Sequence, residues 1–167
     1  MILDIVNRKD PILTTKCEKF DFTNPIQDPF ELATNLVETM RRHGAPMIAA
    51  NEVGINAQVI ALESDPALVM FNPVVTDEHG ESFLFEETDL SRRGLVCKIR
   101  RPGAIRVRFQ DYNGDFVLER YIGMTARQIL HGTDTTNGVI FYSKANRIHR
   151  DKALKDLKKH ERSLKRG

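Results

Sequence analysis

The sequence predicts an α+β fold in a single domain. Three observations carry this expectation. An amphipathic helical segment runs between Asp28 and Gly44, short β-rich segments separated by turn clusters fill residues 57–122, and a second helical segment starts at Thr125.

Taken in order, Asp28-Pro29 opens the first helix with a capping carboxylate followed by proline at the first helical position. Ala33, Leu36, Val37 and Met40 recur at i, i+3, i+4 and i+7, one stripe aimed at a core. Arg41, Arg42 and His43 suit the negative end of the helix dipole, and Gly44 suits its C-cap. Residues 58–62, 68–75, 82–86, 104–109 and 116–122 read as strands, parted by turns such as Asp77-Glu78-His79-Gly80 and Asn113-Gly114. Thr125 and Gln128 have capping-box spacing, and their helix should end near Asn137-Gly138. The apolar run 139–142 reads as a strand or extended piece. From about 150 to 166 a basic helix turns Ala153, Leu154 and Leu157 inward.

At 167 residues the chain is expected to be one domain, 1–167, large enough for a real core. Its 41% hydrophobic and 29% charged residues exclude a disordered or disulfide-scaffold protein. No apolar stretch is long enough to span a bilayer, and no signal peptide is visible. Cys17 and Cys97 alone require neither an oxidising compartment nor a cysteine metal cluster, so a cytoplasmic protein is expected. Charge is uneven. Residues 143–167 hold ten Lys/Arg against three acidic residues, a net +7, which leaves −5 on the remainder. Such a tail suits an anionic partner such as RNA, although a solvated helix face reads equally well.

Three motifs now align with a family. Residues 45–54, Ala-Pro-Met-Ile-Ala-Ala-Asn-Glu-Val-Gly, resemble the Gly-x-Gly-Leu-Ala-Ala-x-Gln-x-Gly loop of peptide deformylases. Glu87-Thr88-Asp89-Leu90-Ser91 resembles their Glu-Gly-Cys-Leu-Ser motif, and residues 126–138 resemble their His-Glu-x-x-His metal helix. The resemblance implies the α+β peptide deformylase fold, with antiparallel-leaning strands around a central metal-site helix. It also implies hydrolysis of the formyl group on nascent N-terminal methionine. In such an enzyme two histidines and a cysteine hold a divalent metal, a glutamate acts as general acid/base, and a glutamine and a backbone N–H stabilise the oxyanion.

This sequence departs from that pattern at nearly every reacting position. Asp89 stands for the cysteine ligand and Thr135 for the second histidine, so His131 alone persists. Gly132 stands for the general acid/base. Glu52 replaces the oxyanion glutamine, and a carboxylate accepts hydrogen bonds where a donor is needed. Leu90 keeps the other oxyanion position. In the substrate cleft, Met47 replaces a glycine and is expected to fill the space of a substrate methionine; Ile48 and Gln128 are the other candidate substrate contacts.

The degenerate motifs imply lost deformylase activity, no cofactor, and a binding or regulatory role. The basic helix would meet the ribosome near the nascent-chain exit, through ribosomal RNA and with a nascent peptide as a further partner. Residue chemistry also leaves an enzymatic alternative. Glu52, Asp89 and His131 form a one-His, two-carboxylate set that suits a divalent metal (Zn, Fe, Mn or Mg), making the chain a divergent metal-dependent amidohydrolase. Without a cation, the two carboxylates should favour a protonated His131. Otherwise His131 is a core histidine donating to Glu52 or Asp89. Glu87 and Arg101 read as an ion pair, Asp134 as a residue that orients the helix, and Cys97 as a small apolar strand residue.

Overall fold

The computed structural model describes all 167 residues. Its elements are β1 (Met47–Ala49), β2 (Val59–Leu62), β3 (Leu68–His79), β4 (Phe83–Glu87), β5 (Cys97–Arg101), β6 (Ala104–Gln110) and β7 (Phe116–Ile122), with α1 (Pro29–Arg42), α2 (Gly123–Thr136) and α3 (Arg147–Arg166). Five strands form one antiparallel sheet in the order β1-β2-β3-β6-β7, while β4 and β5 pair separately.

The sheet is sandwiched between two helices, and strand alternation decides which residue faces which. Ile48, Val59, Ala61 and Phe71 pack against Leu32, Ala33, Leu36 and Met40 of α1. Their neighbours Met47, Ala49, Ile60, Leu62 and Met70 face Ala126, Ile129 and Leu130 of α2. With both faces covered, β2 reads as an unbroken apolar run rather than an alternating one. At the bulge that bends β3, Asn72 takes φ +52°, and its side chain bonds both the N–H and the carbonyl of Phe20 (2.8 and 2.9 Å).

Asp28 caps α1 through the Glu31 N–H at 2.8 Å, as its sequence position predicts. Three expectations are corrected, and one strand was not foreseen. The helix α2 starts at Gly123, not Thr125, and its N-cap Ile122 makes no side-chain bond, so the Thr125–Gln128 spacing is no capping box. The segment Phe141–Lys144 is a 3-10 turn rather than a strand; Phe141 anchors it under α3. The helix α3 begins at Arg147, because the Asn146 side chain caps the His149 N–H at 2.9 Å. Finally, β1 is a three-residue strand that the sequence pattern did not resolve.

The basic helix is docked, not free. Ala153 is buried and Leu154 and Leu157 pack with it on Leu95, Cys97, Ile99 and Phe141, the third core cluster. An Arg8–Glu161 ion pair ties its far half to the N-terminal segment. No helix is long and apolar enough to cross a membrane.

A candidate active site filled from within

The strand β1 leads into a 3-10 turn, Ala50–Val53, which puts Glu52 beside the 88–95 turn and α2. Glu52 is 1% exposed. Its Oε2 accepts the Ala49 N–H at 2.9 Å and its Oε1 accepts the Leu90 N–H at 3.2 Å. Burial, with the charge of Asp89 behind it, pushes the Glu52 carboxyl up to about 7, against the pull of three backbone N–H groups. Glu52 therefore takes up the Leu90 N–H, the one oxyanion donor that the sequence retains.

Asp89 is turned onto Arg92. Its Oδ1 accepts the Arg92 backbone N–H at 2.7 Å and its Oδ2 pairs with Arg92 Nη1 at 2.9 Å, with both side chains buried. This Asp-x-x-Arg clasp shapes the turn between β4 and β5. Thr135 is spent on its own helix, donating Oγ1 to the His131 carbonyl at 2.9 Å.

His131 is 1% exposed and its ring lies 5.3 Å from that of Phe141. Its carboxylate neighbour is Glu87, with Oε1 at 3.4 Å from Nδ1, and not Glu52 or Asp89 as expected from sequence. Burial lowers its pKa and outweighs the raising effects of Glu87 and Asp89, so the imidazole is neutral near pH 7. The expected protonated His131 is thus corrected. Its Nε2 is buried without a hydrogen-bond partner.

Glu87 is the centre of a network that the sequence showed only in part. Its Oε2 accepts Arg101 Nε and Arg127 Nη1, each at 2.6 Å, and Oε1 accepts Arg101 Nη2 at 2.8 Å. Arg101 reaches on to Asp134 at 2.8 Å. Arg127 is fully buried, lying over the Phe83 ring at 4.6 Å and donating to the Phe83 and Ile99 carbonyls. An arginine on the buried stripe of α2 was the available signal for this role.

Gly132 faces β1 and β2. A Cβ there would stand 3.0 Å from Ile60 Cγ2 and 3.1 Å from Met47 Sδ. Met47 therefore fills the space beside the position of the general acid/base, and it is 5% exposed. Ile48 fails as a substrate contact through its side chain, which is wholly buried on the α1 face of β1. Met47 and Gln128 do line a cleft of about 320 Å³, together with Pro46, Asp89, Leu90 and Arg93.

The donor set does not fit the metal that the motif resemblance implies. Asp89 and Thr135 are engaged elsewhere, Gly132 offers nothing, and only His131 Nε2 is uncommitted. No three His, Cys, Asp or Glu side chains are arranged to hold a metal ion, so the rebuilt Glu52/Asp89/His131 set does not assemble.

The family model of polypeptide deformylases matches residues 2–151. The chain belongs to the polypeptide deformylase family. A peptide deformylase of Desulforudis audaxviator is 33% identical over 154 residues, covering 90% of this chain and 98% of that protein. A peptide deformylase-like protein of Agrobacterium fabrum is 30% identical over 131 residues, covering 77% and 80%. Among solved structures, the Synechococcus elongatus peptide deformylase in complex with actinonin superposes with a TM-score of 0.84 at 28% identity, over 92% of this chain and 86% of that one. The Legionella pneumophila peptide deformylase has the same fold, with a TM-score of 0.86 at 22% identity over 100% and 99%. The deformylase fold expected from the motifs is thus present. Most of α3, after residue 151, lies outside the matched span.

Proposed function

We propose that this chain is a deformylase-family protein that does not hydrolyse formyl-methionyl peptides and acts instead by binding. One observation carries the reading. The general acid/base position is a glycine, and its surroundings are closed by Met47 Sδ and Ile60 at 3.0–3.1 Å from where a Cβ would stand. The Leu90 N–H taken by Glu52 and the Asp89–Arg92 pair support it. Losing one oxyanion donor raises a barrier by about 2.7–4 kcal/mol, and here both donors, the base and two ligands are gone together.

The partner surface is α3, whose Lys155, Lys158, Lys159 and Arg162 are exposed. We assign it to ribosomal RNA near the nascent-chain exit, in the cytoplasm, with the emerging peptide as a further contact. The activity half is tested on formyl-Met peptides with protein made free of host deformylase. The expected result is no turnover above buffer and no stoichiometric metal. Turnover abolished by a chelator would overturn the reading. Restoring Glu52→Gln, Asp89→Cys, Gly132→Glu and Thr135→His should fail to restore turnover, because Ile60 and Met47 both crowd the new glutamate and Met47→Gly would relieve only one of the two.

A further inference from the structure

On the side of the 88–95 turn away from the filled centre lies a second cavity, of about 480 Å³, between the N-terminal segment and α3. That volume falls within the range of small-molecule sites. Its floor is apolar, with Leu95, Leu154 and Leu157 among the lining residues, and Arg8, Lys9, Arg92 and Arg93 line it too. Asp10 is the only acidic group there, and its Oδ1 is held by the Ile12 N–H at 3.0 Å.

The decisive group is Arg92. It is 8% exposed, and Asp89 takes only its backbone N–H and Nη1. Its Nε and Nη2 have no protein acceptor and keep contact with solvent, so both donors are open to a ligand entering the cavity. Neither Arg93 nor Lys9 has a carboxylate partner; Arg93 Nη2 meets only His43 Nδ1, at 2.7 Å. A guanidinium anchored through Nη1 with its other two nitrogens open to the cavity, beside apolar side chains and flanked by two cations without a carboxylate partner, is a receptor for a planar anion attached to an apolar body.

We propose that this cavity binds an organic carboxylate with an apolar tail, its carboxylate on Arg92 and Arg93 and its tail on Leu95, Leu154 and Leu157. The proposal does not depend on the loss of deformylase activity or on RNA binding. Lys9 adds charge at the rim. The shared chemistry, an apolar body ending in a carboxylate, belongs both to a free aliphatic acid and to the C-terminus of a peptide ending in leucine. A phosphate monoester would carry a second charge and three acceptor oxygens, which suit an arginine cluster less masked by apolar side chains than this one.

The test uses the full chain with its leucine and isoleucine methyl groups observed by NMR during titration with octanoate. The expected result is saturable shifts at Leu95, Leu154 and Leu157, with octanol, which has the same body without the anion, binding at least about tenfold more weakly, or about 1.4 kcal/mol. An N-acetyl tripeptide ending in leucine and its C-terminal amide form the second arm. Whichever carboxylate binds more tightly identifies the source, and the amide should lose at least as much as octanol does. Lys9→Glu with Arg93→Glu, both exposed positions, should abolish the preference for the anion while leaving the methyl spectrum otherwise intact. Leu157→Glu should remove binding. Unshifted cavity methyl groups at millimolar octanoate and tripeptide, equal binding of octanoate and octanol, or shifts confined to methyl groups outside the cavity would each overturn the proposal.

Discussion

At residue scale, Gly132 and Met47 act as a pair. Alanine is favoured over glycine by about 1 kcal/mol in a helix interior, so Gly132→Ala should ordinarily stabilise α2. Here the added Cβ meets Ile60 Cγ2 at 3.0 Å, an atom fixed on a central strand, and Met47 Sδ at 3.1 Å. Overpacking of this kind typically costs about 1–3 kcal/mol, so the net change should be a loss of stability. In a Met47→Ala background the same substitution should cost less or become favourable. Urea unfolding of the four proteins measures that coupling, and additive effects would refute the pairing.

Glu52 gives the other residue-scale prediction. Its folded pKa of about 7 lies above the ordinary 4.5. A raised carboxyl pKa means that the native state holds a proton that the unfolded chain has released. Its contribution is therefore fully present below about 4.5 and is lost as pH rises through about 7, by up to about 3 kcal/mol. His131, whose pKa is lowered by burial, acts in the opposite sense, losing stability as pH falls below its ordinary value. The two overlap, so the clean measurement is the difference between the wild type and Glu52→Gln from pH 4.5 to 8. That difference should favour the variant increasingly with pH. A flat difference would show that Glu52 is ionised throughout.

At the scale of elements, legibility followed the length of the pattern. The helix α1 carries a cap, a stripe and a terminator within one segment, and the structure reproduces all three. The three residues of β1 hold too little periodicity to be seen, and they form a strand only because β2 lies alongside. The start of α2 was misplaced because Thr125 has cap chemistry, whereas the turn from β7 is made by Gly123, at φ +62°, which lets the helix begin without a side-chain cap. The motifs named candidate site positions but did not reveal the partners those side chains take. Arg92 clasps Asp89 from three residues away, and the bonds of Glu87 to Arg127 span 40 residues. The first pair is local but lies in a turn without periodicity, and for the second the sequence offers only an arginine on an apolar helix stripe, without its partner. The Glu87 network yields an element-scale prediction. Arg127→Met should be far better tolerated than Glu87→Gln. Removing the carboxylate leaves Arg127 buried without a counter-charge and Arg101 with Asp134 alone, a loss of about 3–5 kcal/mol. Removing one arginine leaves Glu87 still paired with Arg101 at 2.6 Å. Thermal unfolding of the two variants decides this, and equal losses would refute the ranking.

At the scale of the whole molecule, the charge division has a physical location. The +7 of residues 143–167 lies almost wholly on α3, which buries only Ala153 and leaves its lysines in solvent, while the −5 is spread over the body. Deleting α3 is a poor test of binding, because it would strip the cover from Leu95, Cys97, Ile99 and Phe141. Charge reversal is the better one, since Lys155, Lys158, Lys159 and Arg162 are exposed, and of these side chains none is held in an ion pair. Each phosphate neutralised on RNA releases counterions and adds about 0.7–0.9 to the slope of log affinity against log salt. Reversing the four charges should therefore weaken binding most at low salt and flatten its salt dependence. Cosedimentation with ribosomes at two salt concentrations is the measurement. The wild type should pellet at low salt and be released as salt rises, whereas the reversed variant should remain in the supernatant at both. Equal pelleting of the two proteins, or binding indifferent to salt, would reduce α3 to a solvated face whose function is to cover β5.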